Sequence, residues 1–300
     1  MVFKSGFVGI IGKPNVGKST LLNNIIGEKV AITSHKRQTT RNRIMGIHTS
    51  DEGQIIFLDT PGIHNAKSPL NRYMVSTAVG TFRDVDIILF LVDAAAPFDA
   101  EDVLITESLA TVSVPVVLII NKVDLIQKQR LLPFIDDLRH RHAFEEIIPL
   151  SALNGFNVDI VLDIVRKLLP EGPKYFPDDM YTDSSERFLA AEIIREKIML
   201  LTHQEIPYST AVVVESFKED ERKNLIRISA AINVEKNSQK GIIIGKKGSM
   251  LKEIGKQARL EMEQFFDTRI YLELFVKVSK DWTKNERMLK ELGYDTRKEP

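Results

Sequence analysis

Residues 8–24, VGIIGKPNVGKSTLLNN, place an apolar run, a turn bracketed by glycines and a helical pattern in direct succession. The turn, residues 12–19, has the spacing Gly-x-x-x-x-Gly-Lys-Ser. Glycines before a helix let several backbone N–H groups converge on one anion, and the positive end of the helix dipole assists them. The spacing therefore predicts a phosphate-binding loop between a first strand and a first helix. A dinucleotide fingerprint fits less well, because residues 9–12 lack the Gly-x-Gly spacing.

The side chains of this turn have separate predicted roles. We expect Lys18 to reach the β- and γ-phosphates of a nucleotide, and Ser19 to offer its hydroxyl to Mg²⁺. The residues of the turn that we predict to contact the nucleotide are Gly12, Lys13, Pro14, Asn15, Val16, Gly17, Lys18, Ser19 and Thr20.

Short runs rich in Val, Ile and Leu recur through the first half of the chain, at 7–12, 43–49, 54–60, 86–94, 114–122 and 146–152. Most are apolar throughout, as expected of strands that are buried on both faces of a parallel sheet. Helical patterns lie between them. We therefore predict an α/β domain with a doubly wound, mostly parallel sheet and helices on both faces.

The pattern changes at residues 169–183, LPEGPKYFPDDMYTD, which contain three prolines and no period. A chain of 300 residues is long enough for about two domains. We place the first domain at 1–172, a linker at 173–183 and a second, α+β domain at 184–300.

The composition limits the partners and the compartment. Lys and Arg number 41, and so do Asp and Glu, so a nucleic acid or membrane has to be met by a local patch. The absence of cysteine excludes disulfides and thiolate zinc sites and fits a reducing compartment. The apolar runs are shorter than the ~20 residues of a membrane span, and the N-terminal run is too short for a signal peptide. We expect a cytoplasmic protein.

Three further motifs follow later strands of the predicted sheet. At 59–62, Asp59 can hold Mg²⁺ through its water shell, and Gly62 can turn its N–H toward a γ-phosphate. At 121–124, the carboxylate of Asp124 can accept hydrogen bonds from the N1–H and 2-amino group of guanine, a donor pair that adenine lacks. At 151–153, a backbone N–H can meet the guanine O6. Together these motifs predict GTP and GDP as ligands, held by Asp59, Gly62, Asn121, Lys122, Asp124, Ser151, Ala152 and Leu153.

The segment 28–43, EKVAITSHKRQTTRNR, has little periodicity. A threonine in such a loop can coordinate Mg²⁺ when the γ-phosphate is present, so that the loop is ordered by GTP and released on hydrolysis. We favour Thr40 over Thr39 for this role. A polar connection with a local turn is the alternative. The predicted metal set is Ser19, Thr40 and Asp59, and the predicted catalytic set is Lys18, Thr40 and Gly62.

Together the runs GKPNVGKS, QTTR, DTPG, NKVD and SAL resemble the Era/TrmE-like branch of the translation-factor-related GTPases. In the second half, GKKG at 245–248 stands between two helical segments, and the order helix–strand–strand–helix–GxxG–helix–strand is similar to a type II KH domain. A P-loop GTPase domain followed by such a domain resembles the Era family of bacterial ribosome-assembly GTPases, over nearly the whole chain. The resemblance implies the 3′ end of 16S rRNA and the 30S subunit as partners, and it alone implies peripheral association with the inner membrane. Nothing in the residues demands more than a monomer.

A GxxG loop clamps the backbone of about four nucleotides of single-stranded nucleic acid, because its glycines permit close approach. Between residues 236 and 259 seven basic residues, Arg259 among them, are opposed only by Glu253. This cluster is the local patch that a neutral chain needs. The residues that we predict to contact RNA are Ile244, Gly245, Lys246, Lys247, Gly248, Lys240, Lys252 and Lys256.

The predicted catalytic apparatus departs from that of Ras-type enzymes, which carry a water-orienting glutamine where this chain has Ile63. We expect slow intrinsic hydrolysis, and we expect His64 to be an exposed residue without a role as a base. The resemblance implies that Asn15 helps to hold K⁺ near the α- and γ-phosphates. The alternative is that Asn15 only shapes the turn.

Several aromatic residues have no place in these motifs. We expect Phe265, Phe266, Tyr271 and Phe275 to lie in the core rather than to stack on bases, and the segment 281–300, which holds the single tryptophan, to dock on the RNA domain or to fray. As a whole the sequence favours a GTP-driven switch. An RNA-binding scaffold with incidental turnover is one alternative. A P-loop ATPase or kinase acting on small molecules is another, against which Asp124 argues.

Overall fold

The computed structural model describes residues 2–295. The chain packs as two compact units, one formed by residues up to 66 and from 74 to 183, the other by residues 67–73 and from 184 onward. The first unit thus includes the stretch predicted as a linker. The three-part division into 1–172, 173–183 and 184–300 stays a prediction about independent domains.

The first unit is built on a six-stranded sheet in the order β2-β3-β1-β4-β5-β6. All neighbouring strands are parallel except β2 and β3, so the predicted mostly parallel sheet is confirmed. Its strands are β1 (Lys4–Ile11), β2 (Ile44–Ser50), β3 (Gly53–Asp59), β4 (Ile87–Asp93), β5 (Val116–Asn121) and β6 (Glu146–Pro149). The helices up to residue 183 are α1 (Lys18–Ile26), α2 (Pro69–Gly80), α3 (Ala100–Leu109), α4 (Lys128–Leu138) and α5 (Val158–Leu168), of which α2 begins in the part assigned to the second unit.

The strands of this sheet are apolar throughout because helices cover both of its faces. Every residue of β3 and β5 is buried. Helices α3 and α4 contribute Ile105, Leu109 and Leu138 to the core on one face, while α1 packs with α5, β2 and β3. Since the carboxyl ends of parallel strands meet at one edge, the turns after β1, β3, β5 and β6 lie together there.

The second unit combines a three-stranded sheet with helices. Its elements are α6 (Glu186–Leu201), β7 (Ala211–Asp220), β8 (Leu225–Val234), α7 (Asn237–Ile244), α8 (Ser249–Phe265), β9 (Arg269–Val278) and α9 (Glu286–Glu291). The sheet order is β7-β8-β9, with β7 antiparallel and β9 parallel to β8. The predicted order of elements around the GxxG loop is confirmed. Within residues 2–295, no helix is long and apolar enough to cross a membrane.

The expectation that four aromatic residues of this unit are core is wrong for two of them. Residues alternate in β9, so that Ile270 and Val276 are buried while Tyr271 and Phe275 are each 48% exposed on the opposite face. Phe266 packs against the core, as expected. Two-residue alternation decides the outcome, because an aromatic ring in phase with the solvent-facing positions cannot reach the core.

The C-terminal segment docks on the second unit as far as it is described. Trp282 is fully buried, and its Nε1–H donates to Ser209 O at 2.9 Å. The Tyr294 ring stacks on the indole at 5.8 Å between centroids. The part of the predicted segment from 296 to 300 lies outside the described residues.

We predict that Trp282→Phe lowers the free energy of unfolding of the second unit by about 2 kcal/mol, because it removes a buried hydrogen-bond donor and leaves a small void. Hydrogen exchange of the amides in Leu225–Val234 reports this unit separately. Phe275→Ala is the control, since that ring is half exposed and its loss should cost clearly less. Equal losses in the two variants would contradict the prediction.

Candidate nucleotide site and GxxG loop

The turn after β1 is shaped by its contact with β5. Gly17 has φ +100°, and a Cβ there would lie 2.2 Å from Asn121 Nδ2. Asn121 Nδ2 donates to Val16 O at 2.7 Å, which fixes the turn against the end of β5. Glycine is required at residue 17 both for its backbone angle and for this close approach.

Lys18 begins α1 and is held inside the turn. Its Nζ donates to Gly12 O and Lys13 O, each at 3.0 Å. Burial lowers the pKa of the Lys18 ammonium to about 8, against the charge of Asp59, which raises it. The cation therefore lies ready beside the backbone that would surround a phosphate.

Three oxygen-bearing side chains converge next to this lysine. Ser19 Oγ donates to Asp59 Oδ2 at 2.5 Å and lies 2.9 Å from Thr40 Oγ1. Asp59 Oδ1 is buried, without a hydrogen-bond partner among the residues that the structure describes. Burial raises the pKa of Asp59 to about 6, although the charge of Lys18 and the two hydroxyls lower it. Hard oxygen donors around an unpartnered carboxylate oxygen fit Mg²⁺.

The structure separates the two candidate threonines. Thr40 Oγ1 faces Ser19 and lies 3.5 Å from Asp59 Oδ2. The Thr39 hydroxyl instead donates to Lys36 O at 2.7 Å. Thr40 is therefore the threonine placed with the predicted metal set.

The predicted base-binding residues meet at the ends of β5 and β6. Asn121 Oδ1 accepts from the N–H groups of Lys122 and Ala152, at 2.8 and 2.9 Å. Lys122 Nζ is bound to Asp93 Oδ2 at 2.6 Å. Asp124 is exposed at the start of the following turn. Sequence reasoning missed Asp93, although its place at the end of β4, opposite Asn121, could have indicated it.

The backbone of residues 151–153 is largely committed within the protein. Ser151 N–H donates to Phe156 O at 3.1 Å, and Ala152 N–H donates to Asn121 Oδ1. Leu153 is exposed. A guanine O6 that met the Ala152 N–H would therefore share this donor with the Asn121 amide.

Two side chains of the phosphate turn point elsewhere. Lys13 Nζ lies 2.6 Å from Asp102 and 2.9 Å from Asp99, at the start of α3, so only its backbone remains for the phosphates. Asn15 has φ +68°, and its Nδ2 donates to His35 O at 2.8 Å. This bond leaves the Asn15 amide oxygen as the atom that could face a monovalent cation.

The segment after β3 corrects one expectation. Ile63 N–H donates to Gly12 O at 3.2 Å, and the Ile63 side chain is buried. A Cβ on Gly62 would lie 2.5 Å from Pro14 N, so this segment closely approaches the phosphate turn. His64, expected at the surface, is buried, with only 8% of its surface exposed.

The tautomer of His64 follows from its hydrogen bond. Its Nδ1 lies 2.8 Å from Gly62 O, and since a carbonyl only accepts, Nδ1 carries the proton. In the neutral imidazole Nε2 is then an acceptor, and this nitrogen is buried without a hydrogen-bond partner in the described part of the chain. Sequence gave no signal for this, because burial of a lone histidine depends on the fold around it.

The GxxG loop lies between α7 and α8. Gly245 has φ +73° and Gly248 has φ +79°, which suits glycine, and Lys247 between them has φ +52°. Lys246, Lys247, Lys252 and Lys256 are exposed, whereas Lys240 and Ile244 are half-buried. Arg259 pairs with Glu263 at 2.8 Å, so it adds less to the basic cluster than its sequence position indicates.

Comparison with known proteins assigns the family. A family model described as a 50S ribosome-binding GTPase matches residues 7–122, and a KH domain model matches residues 205–283. The GTPase Era of Syntrophus aciditrophicus (strain SB) is 66% identical over 295 residues, covering 98% of this chain and 96% of the relative. The chain belongs to the Era family of GTPases.

Other members agree with this assignment. The GTPase Era of Geotalea daltonii is 59% identical over 98% of both chains. A crystal structure of Era in complex with MgGDPNP and nucleotides 1506–1542 of 16S ribosomal RNA matches with a TM-score of 0.94 at 45% identity, over 97% of this chain and 99% of that one. A variant of Aquifex aeolicus Era bound to GDP·AlF4⁻ matches with a TM-score of 0.92 at 44% identity, over the same shares.

Family membership confirms the predicted GTPase activity and the predicted combination of a P-loop GTPase fold with a KH domain. It also removes the alternative of an ATPase or kinase that acts on small molecules.

We predict that the affinity for Mg²⁺–GTP is highest between about pH 6 and pH 8, because the pKa values of Asp59 and Lys18 in the free protein are about 6 and about 8. Below this range the carboxyl takes up a proton that must leave when the cation binds. Above it the ammonium loses the proton that phosphate binding needs. On the acidic limb and on the basic limb of this pH profile, the affinity falls by up to about tenfold per pH unit.

Isothermal titration calorimetry across this range measures both limbs. Asp59→Asn is the control. This variant should bind Mg²⁺–GTP more weakly at every pH, and its affinity should fall less steeply on the acidic side, because it lacks the carboxyl that takes up the proton. Protonation of the γ-phosphate is common to both proteins and cancels in the comparison. Identical acidic limbs would contradict the assignment of that limb to Asp59.

Proposed function

We propose that this protein is a GTP-controlled switch that binds the 3′ end of 16S rRNA and assists assembly of the 30S subunit. The observation that carries the RNA part is the charge of the GxxG loop. None of its exposed lysines forms an ion pair within the described residues, so their charge is available to phosphates. The relative solved with GDPNP and 16S rRNA nucleotides supports the same pairing of ligands.

In the proposed site, GTP lies along the turn of residues 12–20 with its base against Asn121, Lys122 and Asp124. Ser19, Thr40 and Asp59 would hold Mg²⁺, which neutralises charge on the β- and γ-phosphates. We also propose K⁺ as an activating ion near Asn15, whose amide oxygen is left for it by the bond to His35.

Hydrolysis is proposed to occur by in-line attack of water on the γ-phosphate. Lys18 and the N–H of Gly62 stabilise the charge that develops on the phosphoryl oxygens. The side chain of Ile63 is buried and apolar, so it cannot orient the water. We expect slow intrinsic turnover, which suits a timer.

An RNA-binding scaffold in which turnover is incidental is the second candidate, and the burial of Ile63 favours it. The proposal further takes the protein to be cytoplasmic and monomeric. A peripheral contact with the inner membrane rests on family resemblance, and a formal net charge of +0 gives it no support.

We predict that Asp124→Asn lowers the affinity for GTP by about a hundredfold or more and raises the affinity for XTP. Asparagine offers one acceptor and one donor where aspartate offers two acceptors, and xanthine carries an acceptor in place of the 2-amino donor. Fluorescent-nucleotide competition measures both affinities. Asp51→Asn, at an exposed turn, is the control and should change neither. Unchanged GTP affinity in Asp124→Asn would remove Asp124 from the base site.

The switch itself is tested by the affinity for a short single-stranded RNA that copies the 16S rRNA 3′ end. It is measured with a non-hydrolysable GTP analogue, with GDP and without nucleotide, at one salt concentration. We expect the tightest binding with the analogue, since the two sites then share a coupling free energy. Equal affinity in all three states would favour the scaffold, and no binding would refute the ribosomal role.

Lys246→Glu should weaken RNA binding by about tenfold or more, while Lys128→Glu on α4, with the same change in net charge, should not. Gly245→Asp is a poor variant here, because its Cβ would lie 2.8 Å from Met250 N and would distort the loop. A Cβ on Gly248 meets nothing within 4 Å, so Gly248→Asp is the better choice for adding a carboxylate, although its φ is positive.

A further inference from the structure

The three-stranded sheet of the second unit has one face that its helices do not cover. Ile226, Ile228 and Ile232 of β8 point into the core with α6, α7 and α8, and the residues between them point the other way. We call this second side the outer sheet face. It is formed by alternate residues of the three strands, among them Lys218, Arg227, Ser229, Ala231, Arg269, Tyr271, Glu273, Phe275 and Lys277.

Two aromatic rings stand on this face. Tyr271 and Phe275 are each 48% exposed, although burial of such rings is strongly favourable. Phe275 lies beside the small Ala231, which is itself buried, so the exposed part of its ring lies away from β8. Arg227 Cζ lies 5.3 Å from the centre of the Tyr271 ring. The guanidinium lies over the phenol ring in a cation–π contact, and we call this pair of side chains the platform.

The charges next to the platform are not balanced. Lys218 and Arg227 lie opposite one another in the register, and neither forms an ion pair among residues 2–295. The nearby carboxylates are already engaged. Glu273 accepts from the Tyr271 hydroxyl at 3.1 Å, and Glu215 pairs with Lys277. A hydroxyl donor does not neutralise Glu273, so the exposed ring of Tyr271 is flanked by two cations without ion pairs in the described residues, Lys218 and Arg227, and by this one carboxylate.

We propose that the outer sheet face is a second binding site for single-stranded RNA, separate from the GxxG loop. Bases stack on Tyr271 and Phe275, and Lys218 and Arg227 contact the phosphates. The two rings are four residues apart on one strand, or ~13 Å, which an extended RNA chain spans in two to three nucleotides. The inference goes beyond the proposed function, which uses the loop alone.

Single-stranded RNA fits this face better than a protein or a duplex does. The centre of a protein interface is depleted of charged residues, whereas here the rings are interleaved with lysine and arginine. Paired bases cannot stack on a side chain, whereas unpaired bases can. Strand β9 is an edge strand of the sheet, and it contacts α7 and α8, the helices on either side of the GxxG loop. An RNA chain held at the loop can therefore continue past this edge onto the outer sheet face.

The test compares a four-nucleotide RNA, long enough for the GxxG loop, with a twelve-nucleotide RNA of the same 5′ sequence, on the full chain. In Tyr271→Ala/Phe275→Ala the affinity for the twelve-nucleotide RNA should fall by about tenfold or more, since base stacking contributes strongly to such binding. The affinity for the four-nucleotide RNA should stay unchanged. Tyr181→Ala, which removes a tyrosine that is 50% exposed in the first unit, should affect neither RNA.

A direct readout is the fluorescence of Tyr271→Trp. Stacking of a base on the new indole should quench its emission with the twelve-nucleotide RNA, while the buried Trp282 is unaffected. Unchanged affinity of the double variant together with unquenched emission would overturn the proposal and leave the face to a protein partner. Failure of Lys246→Glu to weaken the four-nucleotide RNA would instead refute the loop function, so the two proposals fail separately.

Discussion

The side chain of Asn121 joins three loops at the carboxyl edge of the first sheet. Its amide donates to the phosphate turn at Val16 O and accepts from the backbone of Lys122 and Ala152. An amide is suited to this position because it offers both donors and acceptors. These hydrogen bonds fix the distance between the groups that would hold the phosphates and the groups that would hold the base. Gly17 is a consequence of this arrangement, since any side chain there would collide with Asn121.

The same edge of the sheet contains two ionisable groups whose burial is unfavourable. Lys18 and Asp59 are both buried, and burial displaces the pKa of each toward its neutral form. Asp59 also keeps one oxygen without a partner among the described residues. Such groups cost stability unless they are paired. A bound cation and phosphates would provide the missing partners, so the arrangement exchanges stability of the free protein for ligand affinity. The charge of Lys13 is instead paired within the protein, with Asp102 of α3 and with Asp99, which precedes that helix.

The sheet, the order of elements and the positions of the nucleotide motifs could be predicted from the sequence because each depends on local pattern. Apolar runs without alternation indicate buried parallel strands, and glycines with fixed spacing indicate a phosphate turn. The orientation of Lys13 could not be predicted, since its carboxylate partners are distant in sequence and only the fold brings them near. The pairing of Arg259 with Glu263 was within reach, because charges four residues apart on a helix are neighbours. Tyr271 and Phe275 were within reach of sequence reasoning. They are out of phase with Ile270 and Val276, and the period of two assigns them to the solvent side.

The residues after Gly62 are relevant to the rate of GTP hydrolysis. A glutamine at residue 63 would carry its own acceptor to the attacking water, whereas Ile63 is buried in the core of the first unit. The imidazole of His64 follows directly, and its Nδ1 is engaged by Gly62 O. Its Nε2 is buried, so this nitrogen reaches a water only if the segment after β3 moves. Hydrolysis that used this nitrogen would require such a movement, so it would be slow in the free protein and would respond to whatever contacts that segment. The proposed switch would need that property if its GTP-bound state is to outlast an assembly step.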